Sequence, residues 1–176
     1  MDIFSHGLWG GIAFGRKNRR SFWASFLFGI FPDFFAFAPF FVTAMLGLGG
    51  QRLRFGEPPS EHIMPDYIYS LYGISHSLVI FAAVFIAALI LFRRPVYEML
   101  AWPLHILVDI PTHSEKFFPT PFLWPISDIH ISGHPWSDPV IFVPNIMLLA
   151  GLYIWYFIIK PRRFEARQKA LRKQSK

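Results

Sequence analysis

Long apolar runs separated by blocks of basic residues constrain this chain more than any other feature. The runs at 22–48, 67–92 and 140–159 each reach the roughly 20 residues that a helix needs to cross a bilayer. The run at 96–111 is marginal, and the run at 3–14 is too short to cross alone. With 53% hydrophobic residues and a mean hydropathy of +0.38, the chain is more apolar than a soluble domain of this length needs. We therefore predict an all-α, polytopic membrane helix bundle with about four spanning helices and a short amino-terminal half-span.

The basic residues predict how this bundle is oriented. If the runs cross in alternation, 14 of the 17 Lys and Arg side chains fall on one face, which the positive-inside rule assigns to the cytoplasm. The prediction is a multi-pass membrane domain at 1–160, with an outer loop region near 113–138, and a basic cytoplasmic tail at 161–176. Membrane lipids are the expected partners, because the tail suits anionic headgroups. The net charge of +6 then reflects topology, and no nucleic acid partner is expected.

Ionisable side chains inside the apolar runs are the main functional signal, because a charge within a membrane costs free energy and is retained for a purpose. Five such residues are present: His6, Asp33, His76, His105 and Asp109. Counted at about 1.5 Å per helical residue from the nearest cytoplasmic basic residue, all five lie about 15 to 26 Å into the membrane. Four separate runs thus place His or Asp in one band, from the middle to the outer half of the membrane. This common depth predicts a single site.

The spacing within the fourth run supports this prediction. His105, Asp109 and His113 recur at every fourth position, which places them along one face of a helix. Two groups four residues apart can bind one ion. Pro111 predicts that the helix kinks or ends before His113. His105 and Asp109 are therefore the two residues that the spacing places most clearly on one helix face.

Imidazole and carboxylate together suit a divalent metal, with zinc as the first expectation and manganese or iron as alternatives. A single intramembrane His can instead form a hydrogen bond across a helix interface, and proton relays also use Asp and His. For the whole set at one depth, metal binding is the favoured interpretation. The chain has no cysteine, which excludes thiolate ligands and cysteine nucleophiles. Asp33 and Asp109 are the candidate catalytic bases if they are not ligands.

A second group of metal-type residues lies in the predicted outer loop. Asp128, His130 and His134 could add ligands or close over the site. Gly133 and Pro135 argue against a helix here, so the four-residue spacing of the histidines carries little weight. Loop residues in contact with water are the favoured interpretation.

Several short motifs carry a resemblance to a known family. In chain order they are Asp-Ile-Phe-Ser-His-Gly-Leu-Trp-Gly at 2–10, Gly-Ile-Phe-Pro-Asp at 29–33, Ser-His-Ser at 75–77, His-Ile-Leu-Val-Asp-Ile-Pro-Thr-His at 105–113 and Leu-Trp-Pro-Ile-Ser-Asp at 123–128. The chain resembles the bacterial membrane-bound metal-dependent hydrolases, also described as LexA-binding inner-membrane-associated hydrolases. The family usually has a His-Arg pair upstream of its middle His-Ser motif, and this chain lacks that pair.

The resemblance implies a helical hydrolase of the bacterial inner membrane that uses a divalent metal. The ligands that it implies are His6, Asp33, His76, His105 and Asp109. Either His113 would compensate for the missing upstream His, or the chain would represent a subgroup with altered chemistry. A more distant similarity to the helical zinc phospholipase C and nuclease fold suggests a phosphoester substrate.

The function expected from these observations is hydrolysis of an ester or phosphoester in a lipid-like substrate by metal-activated water. The alternatives are a metal or proton transporter, and a non-catalytic membrane protein with a structural metal site. Transport needs a polar path to both faces of the membrane. Glu98 is the one ionisable residue between the predicted band and the cytoplasmic arginines, which counts against transport.

Overall fold

A computed structural model describes residues 1–46, 64–115 and 118–160. All regular elements within these ranges are helical, which confirms the predicted all-α class. The predicted basic tail at 161–176 lies outside the described residues, and so does His62 of the first outer loop. The helices are α1 (Ile3–Phe14), α2 (Arg19–Met45), α3 (Asp66–Ser75), α4 (Leu78–Phe92), a 3₁₀ turn (Tyr97–Leu100), α5 (Ala101–Thr112) and α6 (Pro139–Ile154), which continues as a π turn (Trp155–Ile159).

Two described helices are long and apolar enough to cross a membrane: Arg19–Met45 and Pro139–Ile159. Helices α3 and α4 meet at a 56° bend. They add a third crossing if the two helices together form one broken span. The predicted count of four is not confirmed. The run at 96–111 forms the 3₁₀ turn and the 12-residue α5, and a helix of that length covers about 18 Å of a core about 30 Å thick.

The outer surface of the bundle is apolar. Ile90 and Leu91 on α4 are 72% and 76% exposed, and Val140 and Met147 on α6 are 72% and 68% exposed. A water-soluble protein rarely presents so many large apolar side chains on its helices. This surface therefore suits surrounding lipid.

Helices α1 and α2 pack with their backbones in close contact because glycines lie where they meet. A Cβ atom at Gly10 would lie 2.7 Å from the Ser25 carbonyl oxygen, and one at Gly29 would lie 2.5 Å from the His6 carbonyl oxygen. Small residues at such contacts let membrane helices approach closely. The close approach brings His6 of α1 to the same level as the middle of α2.

The third apolar run is broken by the sequence around His76. His76 caps the carboxyl end of α3, and the Ser77 side chain accepts backbone hydrogen bonds at the start of α4. The Ser77 hydroxyl also donates to the Trp124 carbonyl, and the Leu78 N–H donates to the Phe122 carbonyl at 2.9 Å. Irregular backbone at membrane depth is tolerated where protein groups satisfy it. Here the outer loop provides those groups, and His76 is held at the break.

Proline has different effects in the two helices that supply carboxylates. Helix α5 ends at Thr112, directly after Pro111, and His113 has extended backbone angles, so the predicted end before His113 is confirmed. Helix α2, by contrast, continues through both Pro32 and Pro39.

Candidate metal centre

Four of the six predicted metal ligands converge on one point. Asp33, His76, His105 and Asp109 each offer one ligand atom, and these four atoms all lie within 4.8 Å of one another. They come from α2, the α3–α4 break and α5. The side chains of both histidines and of Asp109 are fully buried, whereas that of Asp33 is 16% exposed. The sequence prediction that separate runs share one site therefore holds for these four residues.

The distances within the group are those of atoms in direct contact. The His105 Nε2 atom lies 3.1 Å from Asp109 Oδ2 and 3.7 Å from Asp33 Oδ1. The His76 Nε2 atom lies 3.4 Å from Asp33 Oδ1 and 3.6 Å from Asp109 Oδ2. The two Nε2 atoms are 3.1 Å apart. One small ion at the centre would contact all four groups with minor side-chain adjustment.

Backbone carbonyl groups determine which nitrogen of each imidazole carries the proton. His105 Nδ1 lies 2.7 Å from the Gly29 carbonyl oxygen, and His76 Nδ1 lies 3.2 Å from the Tyr72 carbonyl oxygen. A carbonyl oxygen only accepts hydrogen bonds, so each Nδ1 is the donor. In the neutral ring, Nε2 then presents a lone pair to the centre. This is how metal-ligating histidines are usually oriented.

The centre of the group is therefore a cluster of acceptors. Two Nε2 lone pairs and two carboxylate oxygens face one another, and Asp109 Oδ2 is buried with no hydrogen-bond donor among the described residues. Lone pairs this close repel, and a buried carboxylate oxygen without a partner is costly. A cation between them removes both penalties. A second proton on one imidazole is the other cation that would fit.

The remaining two predicted ligands surround the other oxygen of Asp109. His6 Nε2 lies 2.9 Å from Asp109 Oδ1, without the alignment of a hydrogen bond, and the His6 ring stacks on His105 at 3.6 Å between centroids. His113 Nδ1 lies 3.3 Å from Asp109 Oδ1, and the Met1 nitrogen also contacts this oxygen. His6 and His113 thus lie against Asp109 beside the group of four, and their role as ligands stays a prediction.

The centre opens on one side into a cavity of about 460 Å³, which Asp2, Asp33, Tyr72 and His113 line together with apolar residues. This volume is within the range of small-molecule sites. Trp102, three residues before His105, and Ile106, directly after it, are buried in an apolar cluster with Phe81. The cavity therefore gives access to the centre.

The outer-loop candidates do not join the group. Asp128, His130 and His134 are all exposed, and His130 Nδ1 contacts the Asp128 carbonyl at 3.1 Å. The loop instead caps α5: the His134 N–H donates to the Pro111 carbonyl at 3.0 Å. The loop thus holds the end of α5, which carries His113, in place.

The sequence analysis missed the groups that orient the ligands. Tyr72 supplies the carbonyl for His76 and stacks its ring on that imidazole at 3.7 Å. Its position four residues before His76 on α3 was the available signal. Asn145 of α6 was missed as well: it is buried, accepts from the Trp9 indole at 2.8 Å and donates to the Ser5 hydroxyl at 2.8 Å. An isolated Asn in an apolar run would have been that signal.

The donor set is two imidazole nitrogens and two carboxylate oxygens, which suits zinc, manganese or iron and does not select among them. The group of four can therefore bind a divalent metal ion whose identity the geometry leaves open. Searches of protein-family models, curated proteins and solved structures find no match for this chain.

Proposed function

We propose that this protein is a membrane-embedded, metal-dependent hydrolase that acts on an ester or phosphoester of a lipid-like substrate. The observation that carries the proposal is the buried cluster of four acceptors, which needs a cation, beside a cavity that reaches it from one side. The motif resemblance to bacterial membrane-bound metal-dependent hydrolases supports the same assignment. It also supports a location in the bacterial inner membrane, with the basic tail in the cytoplasm.

The residues divide into two roles under this proposal. Asp33, His76, His105 and Asp109 would hold the metal ion, which would supply an acidified water molecule and a Lewis acid for the ester oxygen. Asp33 is the member of the group whose side chain is partly exposed. If Asp33 does not bind the ion directly, it is the preferred general base. Asp109 is buried, and His6 and His113 lie against its other oxygen.

The surroundings of the centre favour hydrolysis over the two alternatives. A structural metal site is normally closed by protein ligands, whereas Asp33 faces the cavity. A transporter needs a second opening, but Trp102, which lies toward the predicted cytoplasmic end of α5, is buried in an apolar cluster with Phe81. Among the described residues of that cluster, no ionisable side chain provides a path.

Metal analysis of the purified protein tests the proposal. Wild type, Asp33→Ala and His105→Ala are desalted under mild conditions, and their zinc, manganese and iron contents are measured. We expect stoichiometric metal in wild type and strongly reduced metal in both variants. His130→Ala is the matched control, because His130 is an exposed loop histidine outside the group, and it should retain wild-type metal. Phosphatidic acid and chromogenic phosphodiesters are then tested as substrates.

Two outcomes would overturn the proposal. Wild type without metal after desalting would remove its basis. Metal uptake into vesicles that is lost in both Asp33→Ala and His105→Ala, with no hydrolysis of any substrate, would make the protein a transporter.

A further inference from the structure

The cavity beside the metal centre is polar at one end and apolar along the rest of its length. Asp2, Asp33 and His113 form the polar end. From there the cavity follows α2 outward past Ala38 to Val42 and Met45. Twelve residues of helix separate Asp33 from Met45, a distance of about 18 Å. The cavity is therefore a groove that starts at the metal centre and runs along one helix.

The apolar part of the groove is open on its outer side. Phe41 is 47% exposed, Val42 is 54% exposed and Met45 is 84% exposed. Phe34 also lines the groove, and it precedes Phe41 by seven residues, so all four side chains lie along one stripe of α2. In a membrane, such a stripe is in contact with hydrocarbon.

We propose that this groove binds the hydrocarbon chain of a lipid substrate, with the phosphate headgroup at the polar end beside His113. A metal ion held by the group of four would offset the negative charge of Asp2 and Asp33 there. This inference rests on the proposed hydrolase function, and it specifies the substrate as a membrane phospholipid that enters from the side. The polar and apolar parts of the groove match the two parts of such a molecule.

Residues 47–63 are the competing occupant, because they follow Met45 directly in the chain. Their sequence includes four charged residues at Arg52, Arg54, Glu57 and Glu61. A segment of this composition is a poor match for an apolar groove, since burying unpaired charge is costly. The lipid chain is therefore the favoured occupant, and the segment is one outcome of the test.

Photolabelling tests the inference. The probe is phosphatidic acid with a diazirine near the end of one acyl chain, added at low concentration to the full-length protein in detergent micelles. Labelled residues are mapped by mass spectrometry with and without a chelator. The readout in both cases is the position of the adducts, so the result does not depend on activity. We expect adducts at Phe41 and Met45. Ala38→Trp fills the groove and should lower these adducts by about fivefold or more. Ala83→Trp, on the exposed face of α4, should leave them unchanged.

A second pair of variants keeps the test decisive if Ala38→Trp does not fold. Val42→Asn makes the groove polar and should also reduce labelling, whereas Val143→Asn should not. Val143 is 49% exposed and lies outside the groove, which makes it a close match. Equal labelling of the groove and of α4, or labelling unaffected by either groove variant, would overturn the inference. Adducts confined to residues 47–63 would show that this segment fills the groove and would also overturn it.

This experiment separates the two proposals. Specific groove labelling in a protein that never retains metal would sustain the lipid site and refute the hydrolase. Metal-dependent hydrolysis without groove labelling would do the opposite.

Discussion

A single methyl group at Gly29, which binds no metal itself, should disrupt the metal centre. A Cβ atom there would lie 2.5 Å from the His6 carbonyl oxygen and 3.1 Å from the Gly7 Cα atom. An ordinary contact between carbon and a carbonyl oxygen is about 3.3–3.6 Å, so α1 and α2 must separate by about 1 Å. Both contacts are to backbone atoms, which cannot move aside as a flexible side chain would.

The separation of α1 from α2 would move two groups that contact the metal-binding residues. The Gly29 carbonyl accepts the hydrogen bond from His105 Nδ1 at 2.7 Å, and α1 carries His6 beside Asp109. Losing an orienting hydrogen bond of this kind typically costs about 10–100-fold in metal affinity. Overpacking costs about 1–3 kcal/mol of folding stability, and the better helix propensity of Ala offsets about 0.5–1 kcal/mol of that. We expect Gly29→Ala to be destabilised by about 1–2 kcal/mol.

The assay compares Gly29→Ala with Gly151→Ala. No heavy atom outside its own helix backbone lies within 4 Å of a Cβ placed at Gly151, among the described residues, so this change is neutral or slightly stabilising. Metal affinity is measured by competition with a chromophoric chelator, and stability by thermal unfolding in detergent. Gly29→Ala should lose affinity and melt a few degrees lower, at about 2–4 °C per kcal/mol. Wild-type affinity and melting temperature in Gly29→Ala would refute the argument that close backbone packing positions His105.

Two further predictions concern metal removal and pH. Chelation should lower the melting temperature by about 5–10 °C, since metal at a hundredfold excess over its Kd stabilises by about 2.7 kcal/mol. Asp109→Asn should show no further decrease on chelation; an equal decrease there would mean that the metal binds elsewhere. Near the start of α2, the Ser21 hydroxyl donates to Glu98 at 2.7 Å and holds the pKa of Glu98 below its usual value. Its stabilisation is present above pH 4.5 and is lost as the pH falls through the lowered pKa. The effect is about 0.5 kcal/mol or less because Glu98 is partly exposed. The melting temperature of the metal-free protein, compared at pH 6 and pH 4, should show this loss in wild type but not in Ser21→Ala.

Local pattern was sufficient to predict most of the helices. The run at 3–14 is α1, and the runs at 22–48 and 140–159 closely match the two long spanning helices, because hydropathy and helix length are properties of neighbouring residues. The break at His76 was not predicted. It depends on Trp124 and Phe122, which reach Ser77 and Leu78 from more than 40 residues away.

Counting residues from the basic clusters predicted which side chains lie at the same level, but not which of them contact each oxygen of Asp109. His6 and His113 lie at the right level yet contact Asp109 Oδ1, while His76 and His105 lie beside Oδ2 and contact Asp33 as well. The difference is a matter of a few ångströms and of ring orientation. Spacing along one helix cannot resolve it, because it depends on how the helices pack against one another.

The sequence by itself therefore determined that this chain is helical and apolar, and that His and Asp share one level within it. Hydropathy, charge distribution and the helical rise are local quantities, and they are sufficient for those conclusions. Only the tertiary structure decided that the carbonyl of Gly29, 76 positions before His105, accepts a hydrogen bond from His105 Nδ1. This bond turns the His105 Nε2 atom toward Asp33 and Asp109. Only the packing of α1 and α2 beside the outer loop formed the groove that leads to Asp33. Both features arise from contacts between residues that are far apart in the sequence. Gly29 matters to them because its lack of a side chain sets how closely the α1 and α2 backbones approach.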